Sequence, residues 1–317
     1  MRVVQLRKFK GFRRVFVIVI ICLVALATMR KFSTRNITVQ KNPVPYGRNE
    51  KKITVGFHGR AGNQMFQYAS LIGIAKMNNM TPVLLEITEL WNMFDLPIST
   101  AYMDKSGKYT EVKEEHTAVY APKFENIISK TDVYLNRYLQ SWKYFENVKM
   151  DLKQRHYKIK NELLEEALPY VQDIKRKVSK EAVFVGVHVR RGDIVHERKP
   201  VGHIPAPIPY FYRAMNYFRK RYSNVVFVMI SNSMMWCQDH LDDSSNVYHV
   251  ETGDPYIDFA ILHKMDHLIL SVGTFGWWAG YLSPGTVIFY KGYPKANTTM
   301  SIEMKQTDFI PRHWVGL

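Results

Sequence analysis

Cysteine is nearly absent. The 317 residues hold two, Cys22 and Cys237, and Cys22 lies inside the one long apolar run, so the rest of the chain cannot close an intrachain disulfide and relies on its core. Zinc ligation by cysteine pairs is excluded for the same reason. No Asp-x-Asp occurs, and no His, Asp or Glu cluster has metal-ligand spacing; a bound anion would be met by arginines and backbone amides instead of a divalent ion. Serine or cysteine nucleophile motifs, internal repeats and low-complexity tracts are lacking too. Acids are missing from residues 1–35, which hold nine of the 44 Lys and Arg. The formal charge of +16 therefore falls to +7 over the rest, 35 basic against 28 acidic side chains. Basicity concentrated in this way reads as a targeting signal and argues against nucleic acid as a partner. The remaining excess suits an anionic small ligand or a solvated basic surface.

The long apolar run is Val15–Met29, preceded by Arg2, Arg7, Lys8, Lys10, Arg13 and Arg14. Fifteen helical residues span only about 22 Å, short for a bilayer core, but flanking Arg14, Arg30 and Lys31 can snorkel and early secretory membranes are thin. Basic residues on both sides favour an uncleaved signal anchor at 15–29 over a cleaved signal peptide, which Ala25-Leu26-Ala27 would otherwise suggest. Residues 1–14 then form a cytoplasmic tail, and residues 30–52, with Pro43, Pro45 and Gly47 and no hydrophobic period, form a stem. Asn36 and Asn297 open glycosylation sequons, with Asn79 a weaker one before Pro82.

Folded structure is expected from Ile53, as an α/β protein. Residues 53–58 (ITVGFH) predict a strand, GRAGN a glycine turn, 64–78 an amphipathic helix, and 82–87 a second strand. Residues 90–180 yield no clearer reading than helices and loops, with a charged helix over 161–180. The alternation then returns: strands at 182–190, 225–231, 247–251, 267–272 and 286–291, with helices at 209–221, 233–241, 255–265 and 276–281. Two domains follow, 53–180 and 181–317, with a cleft between them.

The most informative stretch is GVHVRRGD (186–193), where an apolar strand ends in paired guanidiniums. Arg190 and Arg191 read either as solvated charges or, at the strand ends where open α/β sheets bind ligands, as a diphosphate site. His188 shares a strand face with Arg190. A second strand-to-helix turn, Ser271–Gly276, offers Gly273 amides and the Thr274 hydroxyl to phosphate oxygens. The first turn, with Gly59, Gly62 and Asn63, reads as a plain turn or as an anion or sugar contact. Trp277 and Trp278 read as core and cleft wall. Asp258 reads as an exposed helix residue or as an acceptor for a guanine donor edge. Asp193 is either a proton acceptor or the residue that fixes Arg191, with His58 a weaker base candidate.

Five blocks carry a resemblance: HGRAGNQMFQYAS (58–70), LQSWKYF (139–145), VGVHVRRGD (185–193), FVMISNSMMWC (227–237) and DFAILHKMDHLILSVGTFGWWAGYL (258–282). In this order they resemble the α-1,2-fucosyltransferase family, the galactoside 2-α-L-fucosyltransferases, and the basic anchor and stem are similar to its Golgi type II layout. The resemblance implies two Rossmann-like domains of GT-B type, an N-terminal acceptor-side domain and a C-terminal domain binding GDP-fucose. It implies inverting transfer of L-fucose from GDP-β-L-fucose to the 2-hydroxyl of a galactose-terminated glycan, with no cofactor required and the catalytic part in the Golgi lumen. It assigns Arg190 to the diphosphate, His188 and Asp258 to guanine, Thr274 and Phe275 to the phosphates, and Asn63 to the fucose or acceptor end. Ala61 and Ile194 depart from the leucine and aromatic common in the family, which points to a shifted acceptor preference. The alternatives are a catalytically inactive, membrane-anchored glycan-binding protein and an O-fucosyltransferase acting on protein, the latter expected to be soluble and disulfide-stabilised.

Overall fold

The computed structural model describes residues 51–317 apart from 86–87, 99–108, 197–198 and 242–245. The expected tail, the anchor, all but the last two residues of the stem, and Asn36 lie outside the described residues. Two parallel sheets organise what is described. The first comprises β1 (Lys52–Val55), β2 (Thr81–Pro82), β3 (Tyr109–Lys113) and β4 (Asp132–Asn136), in the order β2-β1-β4-β3. The second comprises β5 (Val183–Val189), β6 (Val225–Ser231), β7 (Val247–His249), β8 (His267–Leu270), β9 (Val287–Phe289) and β10 (Val315–Gly316), in the order β10-β9-β8-β5-β6-β7. Every pairing in both sheets is parallel.

β5 is buried along nearly its whole length, as a central parallel strand covered on both faces must be. From β5 the chain steps outward through β6 and β7, then returns to lay β8 on the other side. The order therefore reverses between β5 and β8, and a crevice opens beyond the carboxyl ends of these two strands, where doubly wound sheets take their ligands.

The helix after β1 corrects the sequence reading. It is α1 (Ala61–Met77), starting three residues early, and it is buried on nearly every side instead of amphipathic. The reason is that α1 serves two cores. Phe66 is fully buried, with its ring 4.3 Å from Trp277 and 5.0 Å from Trp278 in the second lobe. Its polar residues stay inside because each has a partner: Gln67 accepts from His58 N–H and donates to Arg137 O, and Ser70 donates to Leu139 O. Trp277 and Trp278 are core, as expected, at 2% and 0% exposure.

Apart from single turns, the further helices are α2 (Asn161–Lys177), α3 (Gly192–His196), α4 (Ile208–Arg219), α5 (Met234–Leu241), α6 (Pro255–His263) and α7 (Thr274–Leu282). β3 and β4 occupy the stretch read as helices and loops. The predicted strand at 82–87 is reduced to β2, with 86–87 outside the described residues. The chain end then crosses back to the first lobe. Ala118 N–H donates to Glu303 O at 2.8 Å, Thr117 N–H to the Glu303 carboxylate at 2.9 Å, and Lys143 pairs with Asp308 at 2.6 Å.

The loop after β4 carries two non-glycine residues in the left-handed region, Arg137 (φ 91°) and Leu139 (φ 51°). Such conformations cost about 1–3 kcal/mol each, and dense hydrogen bonding offsets them. α1 holds the Arg137 and Leu139 carbonyls, and Leu139 N–H donates to the Glu114 carboxyl at 2.8 Å. Burial pushes Glu114 up to about 9, only partly countered by the Leu139 bond, so at neutral pH the group is a protonated acid. A folded-state value above the ordinary one gives stability that is complete below about 4.5 and drains away as pH rises toward 9. Glu114→Gln keeps the shape without the titration. Melting temperatures measured from pH 5 to 9 are expected to fall less steeply for this variant than for the parent, and to cross above it on the alkaline side.

Candidate active site

The site is built where β5 and β8 end. Arg190 follows β5, and its backbone N–H donates to the Ser271 hydroxyl at 2.7 Å, while Ser271 N–H donates to His188 O at 3.0 Å. These bonds staple the two strand ends together. On the other side Ser231 donates to Val189 O at 2.9 Å. The Arg190 guanidinium is about a quarter exposed and paired with Asp193 at 2.5 Å. A Cβ placed on Gly273 would touch the Arg190 side chain at 3.9 Å, so the arginine and the glycine bend lie side by side, and Gly273 is exposed.

Gly273 has φ +94°, a conformation that only glycine adopts without strain. It turns β8 directly into α7, whose N-cap carries no side-chain bond. Among the described residues none accepts from the first-turn amides of Thr274, Phe275 and Gly276, so the positive end of the helix dipole points into the crevice beside Arg190.

His188 is 6% exposed and its Nδ1 has no partner. Burial, and then the Arg190 charge, push it down to about 3, so it is neutral. Its ring lies 5.4 Å from Phe275, which in turn lies 5.3 Å from Phe259. The same helix, α6, carries Asp258, whose carboxylate accepts from Thr252 at 2.6 Å. Burial raises Asp258 to about 6, partly offset by the Thr252 bond.

Two expectations need correction. Arg191 does not join Arg190: its guanidinium lies 3.8 Å from the Trp236 ring centroid and its N–H donates to Asn232, a cation–π stack that takes it away from the Gly273 bend. Asp193 fixes Arg190, not Arg191. Adjacent arginines at a strand end point to opposite sides, and only one can face the crevice.

The first glycine turn also has a different role from an open anion cradle. Ala61 N–H donates to the Glu89 carboxylate at 2.9 Å, and the Asn63 and Gln64 amides return to Arg60 O. Glu89, which sequence reasoning missed, thus occupies the α1 N-terminus. Gly62 is explained by proximity: a Cβ there would sit 2.7 Å from Phe275 N and from the Thr274 hydroxyl. Gly59, at φ +74°, leaves room for the Asn63 amide. Asn63 bridges the lobes, its Oδ1 accepting from Thr274 at 2.9 Å and from Gln140 at 3.1 Å. Gln140 was not singled out as a site residue, although it lies within the quoted LQSWKYF block. His58 is exposed at the first-lobe rim, 6.0 Å ring to ring from Tyr138. Asn297 is exposed in a turn at φ 58°.

Comparison with known proteins converges on one group. Galactoside alpha-(1,2)-fucosyltransferase 2 of Pongo pygmaeus is 32% identical over 273 residues, 83% of this chain and 78% of that protein. The Bos taurus protein of the same name is 30% identical over 284 residues, covering 87% and 81%. Crystal structures of POFUT1 with GDP share the fold at TM-score 0.52 and 13% identity, covering 78% of this chain and 100% of that one. Arabidopsis thaliana FUT1, as a variant with GDP, does so at TM-score 0.50 and 12% identity, covering 86% and 77%. The model of glycosyl transferase family 11 matches residues 17–317, and the chain belongs to that family.

Proposed function

We propose that this protein moves L-fucose from GDP-β-L-fucose to the 2-hydroxyl of a β-galactoside, with inversion at the anomeric carbon, on a two-domain GT-B frame. The observation that carries the reading is the Arg190 guanidinium, held by Asp193 opposite the open first turn of α7. Two kinds of donor there converge on one crevice at the reversal of a parallel sheet. The names of the relatives support the galactoside acceptor and the α-(1,2) linkage, and the GDP bound in fold neighbours supports the donor.

In this reading the diphosphate lies between Arg190 and the amides of residues 274–276, with Thr274 and Phe275 at its edge. As the glycosidic bond breaks, positive charge builds on the sugar ring and negative charge on the departing GDP. Arg190 and the α7 amides are already oriented toward that negative charge, so no reorganisation is needed at the moment of reaction. Guanine lies toward His188 and Asp258, where the ionised carboxylate accepts from the N1–H and the amino group of the base. Residues 15–29 anchor the enzyme as a type II Golgi protein, a reading that rests on the flanking basic residues for the anchor and on the resemblance to the family's layout for the Golgi.

Incubation with labelled GDP-fucose and a panel of β-galactosides, followed by linkage analysis, tests the activity; products without an α-(1,2) linkage refute it. Arg190→Ala is expected to lower kcat/KM by about 100- to 1,000-fold, the scale of a lost charge-stabilising donor, while circular dichroism and melting temperature stay near the parent. An active Arg190→Ala enzyme overturns the diphosphate assignment. Calorimetry with GDP separates an enzyme from a protein that kept the fold alone. Protonation of Asp258 removes an acceptor, so KM for GDP-fucose is expected to rise as pH falls through about 6. Asp258→Asn is expected to raise KM at pH 7.5 and to abolish that pH dependence.

A further inference from the structure

We infer that Gln140 is a positioning residue that decides which end of the Asn63 carboxamide faces the donor sugar; the inference rests on the fucosyl-transfer reading above. A carboxamide is two-faced: its oxygen only accepts and its NH2 only donates, and the two ends have the same shape. The protein distinguishes them. Asn63 Oδ1 accepts from Gln140 Nε2 and from the Thr274 hydroxyl, so both of its lone pairs are used. The positive end of α7 lies on the same side, since Gly62 brings the α1 backbone against Thr274 and Phe275, and that field favours oxygen there. The NH2 group is left over the bare backbone of Gly59, 2.3 Å from where a side-chain carbon would begin. Gly59 itself is exposed, and among the described residues no group accepts from Asn63 Nδ2. An oriented, unspent donor pair therefore faces the cleft at the N-terminal mouth of α1.

Gln140 is well suited to impose this choice. It is 6% exposed, its own N–H is tied to Thr117 O, and it follows directly on the left-handed segment that α1 and Glu114 hold in place. Thr274 cannot fix the orientation alone, because a hydroxyl donates or accepts equally well. With the α7 field favouring oxygen at that point, the Gln140 NH2 donating to Asn63 Oδ1 completes the sense. With the NH2 end outward, Asn63 meets the sugar oxygens and the leaving oxygen as a donor, and the negative charge that grows on that oxygen strengthens the contact.

The test uses the full chain. Gln140→Glu preserves shape and, while ionised, can only accept, so at alkaline assay pH Asn63 turns to donate to it and presents its oxygen to the substrate. The expected result is a fall in kcat with GDP-fucose of about 10- to 100-fold, the scale of one misdirected hydrogen bond to a charged group. The affinity for GDP itself, which lacks the sugar, is expected to stay within about twofold of the parent by calorimetry. Gln140→Met, neutral and without a donor, is expected to lose a smaller factor because Thr274 still holds Oδ1, and it carries the test if the buried glutamate prevents folding. The decisive readout is the Asn63→Ala background, followed both by transfer and by calorimetric affinity for GDP-fucose. There, neither Gln140 substitution is expected to cost anything further. If either substitution costs the same factor in both backgrounds, Gln140 acts by another route and the inference falls alone. Absence of fucosyl transfer by the unmodified protein removes the functional reading and this inference together.

Discussion

The constraint on which the site depends is the close approach of α1 and α7 at Gly62. A single added carbon would meet Phe275 N and the Thr274 hydroxyl at 2.7 Å, so the two helices meet at their N-termini only because this residue has no side chain. Two positive helix ends brought together repel unless each finds negative charge. The protein resolves this unevenly. Glu89 takes the α1 end from within, while at the α7 end Asn63 meets only the Thr274 hydroxyl and, among the described residues, the first-turn N–H groups have no acceptor. That asymmetry turns a packing conflict into a seat for an anion, and Arg190 adds a full charge to the same place.

The surroundings keep this seat rigid. Ser271 and Ser231 grip the end of β5 from both sides, so Arg190 leaves the sheet from a fixed point. Asp193, one turn later on α3, fixes the guanidinium at its other end. Arg191 is removed from competition by Trp236. Neutral His188 buries its ring against Phe275 without adding a second positive charge. His188, Arg190, Arg191 and Asp193 of the GVHVRRGD block thus have separate tasks, and the tasks follow from alternating strand direction and from which neighbour each side chain reaches.

Much of the second sheet was legible because its strands are continuous apolar runs broken by glycine bends, and the strand-end position of Arg190 followed from that pattern. In the first lobe only β1 and the existence of α1 were legible. β3 and β4 are short and alternate polar with apolar residues, so they read as loops, and the pairing of β4 with β1 and of β3 with β4 is set by contacts distant in sequence. α1 was given an amphipathic face because periodicity assumes one wet side, whereas Phe66 packs on Trp277 and Gln67 and Ser70 hold the loop beyond β4. Glu89 and Gln140 carry no local signal of their roles. Glu89 caps a helix that begins 28 residues earlier, and Gln140 reaches Asn63 across 77 residues. Nor could adjacency tell which of Arg190 and Arg191 would turn inward. That depended on Trp236 and Asp193.

The return of the chain end to the first lobe has a consequence for exchanging parts between relatives. Glu303 and Asp308 belong by sequence to the C-terminal half, yet their partners, Thr117, Ala118 and Lys143, lie in the N-terminal half. A chimera spliced once, between the sheets, would separate these partners and pair each half with a stranger's tail. Recombination that respects the molecule needs two junctions, one before β5 and one near residue 300, so that the terminal segment travels with the lobe it fastens.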